Sequence, residues 1–241
     1  MQLSNRFGYL RRVYRWFTLT LVQQGFWALF ILLGDGPRVT EPAALPWDWW
    51  GFRVAGPVLA TMMACAYLWL RPADDERNVS SFETARASLR SLFRMSSDPT
   101  KSLHPLKAQI MFALVALPIM VVIARLIQGP VDAAVKIIIF GAVEALAFQV
   151  INFGVAARSF GGGKQGERIA VGFFAASWAI RDLILAIVSD NLPSIPLILI
   201  GGLVVGGLVG LMSFGMRRWS GLAWPAWSVQ FLIVTLIIGF A

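Results

Sequence analysis

Five ionisable residues lie inside apolar stretches of this 241-residue chain: Arg125, Lys136, Glu144, Arg181 and Asp182. Charged groups are costly in hydrocarbon, so they usually face the interior of a helix bundle, where they join helices or line a path for protons or substrate. Arg125 and Lys136 lie close to the outer end of a predicted span, from which a long side chain can snorkel to the headgroups. Glu144 lies too deep to snorkel.

Glu144 and Arg181 are predicted to lie at similar depth on neighbouring, oppositely directed helices. By helix rise their backbones differ in depth by about 6 Å. Side chains lean toward the helix N-terminus, so the two heads converge. We therefore expect a buried Glu144–Arg181 contact with Asp182 on another face, and a polar strip that continues toward the cytoplasm through Gln149 and Asn152. These polar residues could join the helices of the bundle, line a path for protons or substrate, or lie in separate environments without pairing.

The sequence contains few residues that could form disulfides, metal sites or catalytic motifs. With one cysteine, Cys65, and one histidine, His104, the chain offers no internal disulfide and no zinc site of the usual kind. It contains no G-x-S-x-G elbow, no H-E-x-x-H pair and no paired aspartate-rich motif. We predict that the protein is not an enzyme and needs no cofactor; a lipid-modifying enzyme is the third-ranked possibility.

The glycine-rich stretch 161–166, GGGKQG, matches G-x-G-x-x-G, but it lacks the preceding strand that a dinucleotide site requires. Lys164 is followed by Gln165 rather than Ser or Thr, so the stretch is not a Walker phosphate loop either. Two interpretations remain, a flexible turn between helices and a basic contact for lipid headgroups or a phosphoprotein through Lys164.

Composition indicates a membrane protein, since 57% of the residues are hydrophobic and only 14% are charged, with mean hydropathy +0.68. Seven apolar runs are close to the length that crosses hydrocarbon: about 16–34, 53–70, 108–128, 133–157, 169–188, 195–215 and 222–241. The sequence therefore predicts an all-α polytopic bundle of seven transmembrane helices, or six if the first or last run does not span.

Charge sets the predicted orientation. The net charge is +8, and most of the 21 lysines and arginines fall in the segments that seven spans place on one side. By the positive-inside rule that side is cytoplasmic, so the N-terminus lies inside and the C-terminus lies outside the cytoplasm. Topology thus accounts for the basic charge without a nucleic-acid partner, and we expect the inner (cytoplasmic) membrane of a bacterium.

Three further features suit contacts with lipids or protein subunits. Arg86, Arg90 and Arg94 recur every four residues in the polar segment 71–107, as on an amphipathic helix that is solvated, lies on anionic headgroups or binds a partner. Aromatic residues of the outer loop 35–50 are placed at headgroup level: Trp47, Trp49 and Trp50. Glycines spaced by four in the sixth run form a groove for close helix packing: Gly202, Gly206 and Gly210.

The central stretch VAARSFGGGKQGERIAVGFFAASW, 155–178, resembles the Yip (Ypt-interacting protein) domain family. The stretch LFRMSSDPTKSLHPLK, 92–107, resembles the short Pro-containing approach to the first span of that family's domain. The resemblance implies a five-span membrane domain over about 95–241. Residues 1–70 would then be a two-span extension, 71–107 a cytoplasmic linker and 108–241 the five-span domain. Eukaryotic members of the family are associated with membrane trafficking and small GTPases, and the resemblance brings no catalytic residues.

Two functions follow. The first is a non-catalytic accessory, membrane-organising or scaffold subunit that binds membrane lipids and other membrane subunits. The second is a transporter or channel whose path runs past Glu144 and Arg181. They differ in whether the polar strip faces water or is sealed by neighbouring helices.

Overall fold

The computed structural model describes residues 2–34, 45–70, 131–160, 163–188, 195–220 and 223–240, with single positions between 110 and 127. Six helices have defined bounds: α1 Gln2–Leu33, α2 Trp47–Leu70, α3 Val131–Ser159, α4 Gly163–Val188, α5 Ile195–Ser220 and α6 Trp224–Phe240. The positions described between 110 and 127 are helical too. The prediction of an all-helical chain is confirmed for these residues, which include no strand. Arg86, Arg90, Arg94 and Arg125 lie outside them.

Four helices in the described part of the chain are long and apolar enough to cross a membrane: Leu10–Leu33, Val131–Ser159, Lys164–Val188 and Ile195–Ser220. They correspond to the first, fourth, fifth and sixth predicted runs. Each extends beyond the apolar run because helix formation does not stop where hydrophobicity stops. The seven-span count stays a prediction.

Two helix starts differ from the sequence prediction. The tryptophans assigned to an outer loop, Trp47, Trp49 and Trp50, form the first turns of α2, where the Trp50 N–H donates to Pro46 O at 2.8 Å. Asp48 in that first turn suits the positive end of the helix dipole. Likewise α4 begins at Gly163, so Lys164 lies in a helical turn rather than in a flexible connection.

α3 is not uniform. It is α-helical over Val131–Ala147, π-helical over Phe148–Val155 and α-helical again over Ala156–Ser159. Every side chain of the π segment is buried. Since π-helices are rare and tend to occur at functional positions, this segment, with Gln149 and Asn152 in it, is the most unusual element of the bundle.

Several glycines lie where two helices approach each other closely. A Cβ atom on Gly202 would meet Ala179 Cα at 2.6 Å, and one on Gly206 would meet Trp178 Cβ at 2.5 Å, so the glycine face of α5 packs directly on α4. Gly210 continues that face against Phe174, at 3.3 Å. At the α1–α2 crossing, a Cβ on Gly56 would lie 2.8 Å from Gln23 O. Small residues thus let the backbones meet.

Candidate functional site

The α1–α3 polar group consists of Thr20, Gln23 and Gln24 on α1 and Glu144 and Asn152 on α3. Gln24 Nε2 donates to Glu144 Oε1 at 3.2 Å. Asn152 uses both ends of its amide: Nδ2 donates to Gln23 Oε1 at 2.9 Å, and Oδ1 accepts from Thr20 Oγ1 at 2.9 Å. All five side chains are buried. These hydrogen bonds join α1 to α3 within the span.

The α3–α5 polar group consists of Gln149, Ser213 and Arg217. Gln149 Nε2 donates to Ser213 Oγ at 3.0 Å, while Arg217 Nε and Nη2 donate to Gln149 Oε1 at 3.1 and 3.0 Å. Arg217 Nη2 also donates to the backbone carbonyl of Gln149 at 2.9 Å. The guanidinium lies 4.5 Å from the Phe153 ring centre and the residue is only 2% exposed. Its charge is therefore enclosed by protein.

The π segment explains why these are two groups and not the single strip predicted from sequence. A π-helix has more residues per turn than an α-helix, so residues three apart in sequence are turned further away from each other. Gln149 accordingly faces α5 and Asn152 faces α1. The α-helical spacing assumed for the strip does not apply here.

The predicted Glu144–Arg181 contact is wrong in the described structure. Arg181 pairs with its neighbour Asp182, with Nη2 3.0 Å and Nε 3.1 Å from Asp182 Oδ1, and its guanidinium lies 4.0 Å from the Trp178 ring centre. Adjacent helical side chains point apart, but the arginine side chain is long enough to fold back across the helix surface. Arg181 and Arg53 still act electrostatically on Glu144 from a greater distance.

Lys136 joins the outer ends of α2 and α3. Its Nζ donates to Leu45 O at 2.8 Å and to Asp132 Oδ2 at 2.7 Å, and lies 4.9 Å from the Trp47 ring centre. The ammonium does reach toward the outer end, as snorkelling requires, but protein groups receive it and the residue is only 4% exposed.

Several residues of the two polar groups were not predicted from the sequence. Gln23 and Gln24 lie inside the first apolar run, 16–34, and were not among the predicted site residues, although the rule that polar groups inside spans face the bundle interior would have identified them. Arg217 lies just beyond the sixth predicted run, 195–215, where a basic residue normally reaches the headgroups, so it was not among the predicted site residues either. Its burial depends on the position of Gln149 in a neighbouring helix, which no local pattern records.

At the inner end of the bundle, where the charge pattern places the cytoplasm, α4 begins beside the end of α5. Arg218 Nε lies 2.6 Å from Glu167 Oε2, and the Lys164 side chain is exposed. A Cβ on Gly166 would clash with Ala157 O, so the first turn of α4 packs tightly on the end of α3.

Chemically, each polar group consists of amides, hydroxyls and one ionisable side chain that are hydrogen-bonded across two helices, an arrangement suited to joining helices. Within the described residues, no cluster of three or more His, Cys, Asp and Glu side chains could hold a metal ion. Compared with protein families, curated proteins and solved structures, the chain shows no significant match.

Proposed function

We propose that this chain is a multi-spanning, non-catalytic protein of the inner (cytoplasmic) membrane that acts as an accessory or membrane-organising subunit for protein and lipid partners. The observation that carries the proposal is the sealing of its intramembrane polar residues. Glu144 is 3% exposed and Asn152 is fully buried, and each is hydrogen-bonded to α1. A transport path would need such groups to meet water or substrate.

The outer surface of the bundle supports a membrane location. Large apolar side chains stand exposed along α5, among them Leu197, Leu208 and Leu211 at 57–67%. A continuous apolar surface of this kind needs lipid or another protein to cover it. The resemblance of residues 95–241 to the Yip domain family suits the same role.

Partner contacts are proposed at both ends of the bundle. Trp47 at the start of α2 is half exposed, and its ring is suited to headgroups or to another subunit at the outer face. At the inner face, the exposed Lys164 and the arginine row Arg86, Arg90 and Arg94 supply positive charge for anionic lipid or an acidic protein surface.

The test is purification from native membranes directly into nanodiscs, followed by mass spectrometry of every protein and lipid that stays bound. We expect a membrane protein at fixed stoichiometry. The Asp132→Asn variant changes a half-exposed acid of α3, the helix that also carries Glu144, and should retain that partner. A chain that purifies alone with a specific small solute would contradict the proposal.

Transport is the second candidate, favoured by one observation: an ionisable side chain, Glu144, is only 3% exposed in the interior of a helix long and apolar enough to span a membrane. The Glu144→Gln variant separates the two functions. If Glu144 is structural, the substitution lowers the yield of folded, monodisperse protein, whereas Asp132→Asn does not. Normal yield together with loss of a bound solute would favour transport.

A further inference from the structure

A cavity of about 140 Å³ lies between α3, α5 and α6, where α5 ends and α6 begins. Its apolar walls are formed by Leu146, Val150, Ala223, Trp224 and Trp227. Gln149 and Arg217 complete the lining, but Gln149 Oε1 accepts from Arg217 Nε and Nη2, and Gln149 Nε2 donates to Ser213 Oγ. The cavity therefore presents hydrocarbon to whatever occupies it.

An apolar cavity favours apolar molecules over water, because water gains few hydrogen bonds at apolar walls. Leu146 stands on the wall and is 36% exposed, so the cavity is reachable from the lateral surface of the bundle. If that surface faces lipid, the molecule that reaches it is a hydrocarbon chain rather than a soluble metabolite.

Basic side chains lie at the end of α5, one of the helices that border the cavity. Arg217 and Arg218 form the basic last turn of α5, and Lys164 and Arg168 are exposed at the start of α4 beside it. The Arg218 side chain is 42% exposed and pairs with Glu167 through Nε. A guanidinium has five N–H donors, so this single ion pair leaves it the capacity to bind phosphate as well.

We propose that the cavity holds a segment of one acyl chain of an anionic phospholipid, whose phosphate contacts Arg218. The inference rests on the proposed membrane location and adds a defined lipid site to it. The apolar walls alone would accept the acyl chain of any phospholipid. An anionic phospholipid is preferred because the start of α4 and the end of α5 are basic.

The test uses the full chain in nanodiscs that contain equal amounts of phosphatidylglycerol and phosphatidylcholine with the same acyl chains. After transfer to detergent, native mass spectrometry counts the lipids that each chain retains. We expect one phosphatidylglycerol per chain, at least fivefold in excess over phosphatidylcholine. Leu146→Trp, which fills the cavity, should lower retention at least tenfold, and Arg218→Gln should remove the preference between the two lipids.

Leu203→Trp is the matched control, since Leu203 is 46% exposed on α5 and does not line the cavity. It should retain the lipid as the wild type does. Should Leu146→Trp give no monodisperse protein, Ala223→Leu narrows the cavity instead. Retention of no lipid by the wild type, equal retention of both lipids, or equal loss in Leu203→Trp and the cavity variants would overturn the site.

An alkaline carbonate wash of membranes separates this result from the proposed function. Release of the chain by the wash would overturn the membrane premise itself. A chain that stays in the membrane fraction but retains no phosphatidylglycerol would overturn only the lipid site.

Discussion

Asn152 is the residue on which the contact between α1 and α3 most depends. It is fully buried and exchanges hydrogen bonds with both Gln23 and Thr20. We expect Asn152→Ala to lower the free energy of unfolding by about 1–2 kcal/mol, because two buried polar partners lose their hydrogen bonds. Unfolding of the detergent-solubilised protein by sodium dodecyl sulfate, followed by tryptophan fluorescence, measures the change.

A double-mutant cycle with Thr20→Val isolates one of these bonds. The coupling energy between positions 20 and 152 should be about 0.5–2 kcal/mol. Thr18→Val is the matched control, because the Thr18 hydroxyl donates to Tyr14 O of its own helix, 2.9 Å away, and should not couple to Asn152. A coupling energy near zero for Thr20 would show that the bond does not hold the helices together.

Sequence reasoning at this scale identified which residues are buried in the span but not which residues they contact. Helix rise gives the depth of Glu144 and Arg181, yet it does not give the rotation of either helix about its own axis. It also treats a side chain as a fixed vector, whereas arginine can fold onto a neighbour, as Arg181 does onto Asp182. Glu144 found its partner, Gln24, on a helix 120 residues away in sequence.

At the scale of elements, the α4–α5 contact depends on the absence of side chains on one face of α5. A Cβ on Gly206 would lie 2.5 Å from Trp178 Cβ and 3.0 Å from Ala175 Cα, and neither atom belongs to a flexible chain end. We expect Gly206→Ala to destabilise the protein by about 1–3 kcal/mol, as overpacking does elsewhere. Thermal unfolding in detergent measures this.

Gly201 gives the control on the same helix, since nothing lies within 4 Å of the Cβ it would gain. Gly201→Ala should leave stability unchanged or raise it by up to about 1 kcal/mol, because alanine is the better helix former. Equal effects of the two substitutions would mean that helix propensity, and not the packing of α5 on α4, explains the glycines.

Arg217 of α5 contacts the π segment of α3 at Gln149. The guanidinium binds both the side chain and the backbone carbonyl of Gln149, a planar two-atom recognition that an ammonium cannot reproduce. We therefore expect Arg217→Lys to raise amide hydrogen exchange over residues 148–155 several-fold. Arg218→Lys, at the next and more exposed position, should not. Unchanged exchange in Arg217→Lys would show that the π segment is set by α3 alone.

The sequence was informative about where helices run and less so about where they begin. Apolar runs place α1, α3, α4 and α5 because hydropathy must match the surroundings over a whole span. Hydropathy carries little information about where a helix begins. Trp47 and Gly163 were predicted to lie in loops, and both are helical. The π segment had no sequence signal that we recognised, since its residues are as apolar as their neighbours.

At the scale of the whole molecule, exposed apolar residues and exposed basic residues occupy different parts of the bundle surface. Exposed leucines such as Leu197 and Leu208 lie along the outer surface of α5, while the exposed bases Lys164, Arg168 and Arg218 gather where α4 begins and α5 ends. Sealed polar groups in the interior, apolar flanks and one basic end together suit a protein that organises lipids and subunits around itself.

The orientation predicted from the charge pattern can be tested directly. The positive-inside rule predicts that the N-terminus and the junction between α3 and α4 lie in the cytoplasm, and seven spans would then put the C-terminus outside. Green fluorescent protein fused to the N-terminus should fluoresce, whereas fused to the C-terminus it should be dark and alkaline phosphatase there should be active. Alkaline phosphatase inserted after Lys164 should be inactive and serves as the internal control. Fluorescence at the C-terminus would instead mean an even number of spans; because α6 has only 17 residues, it is the helix whose insertion would then be re-examined first.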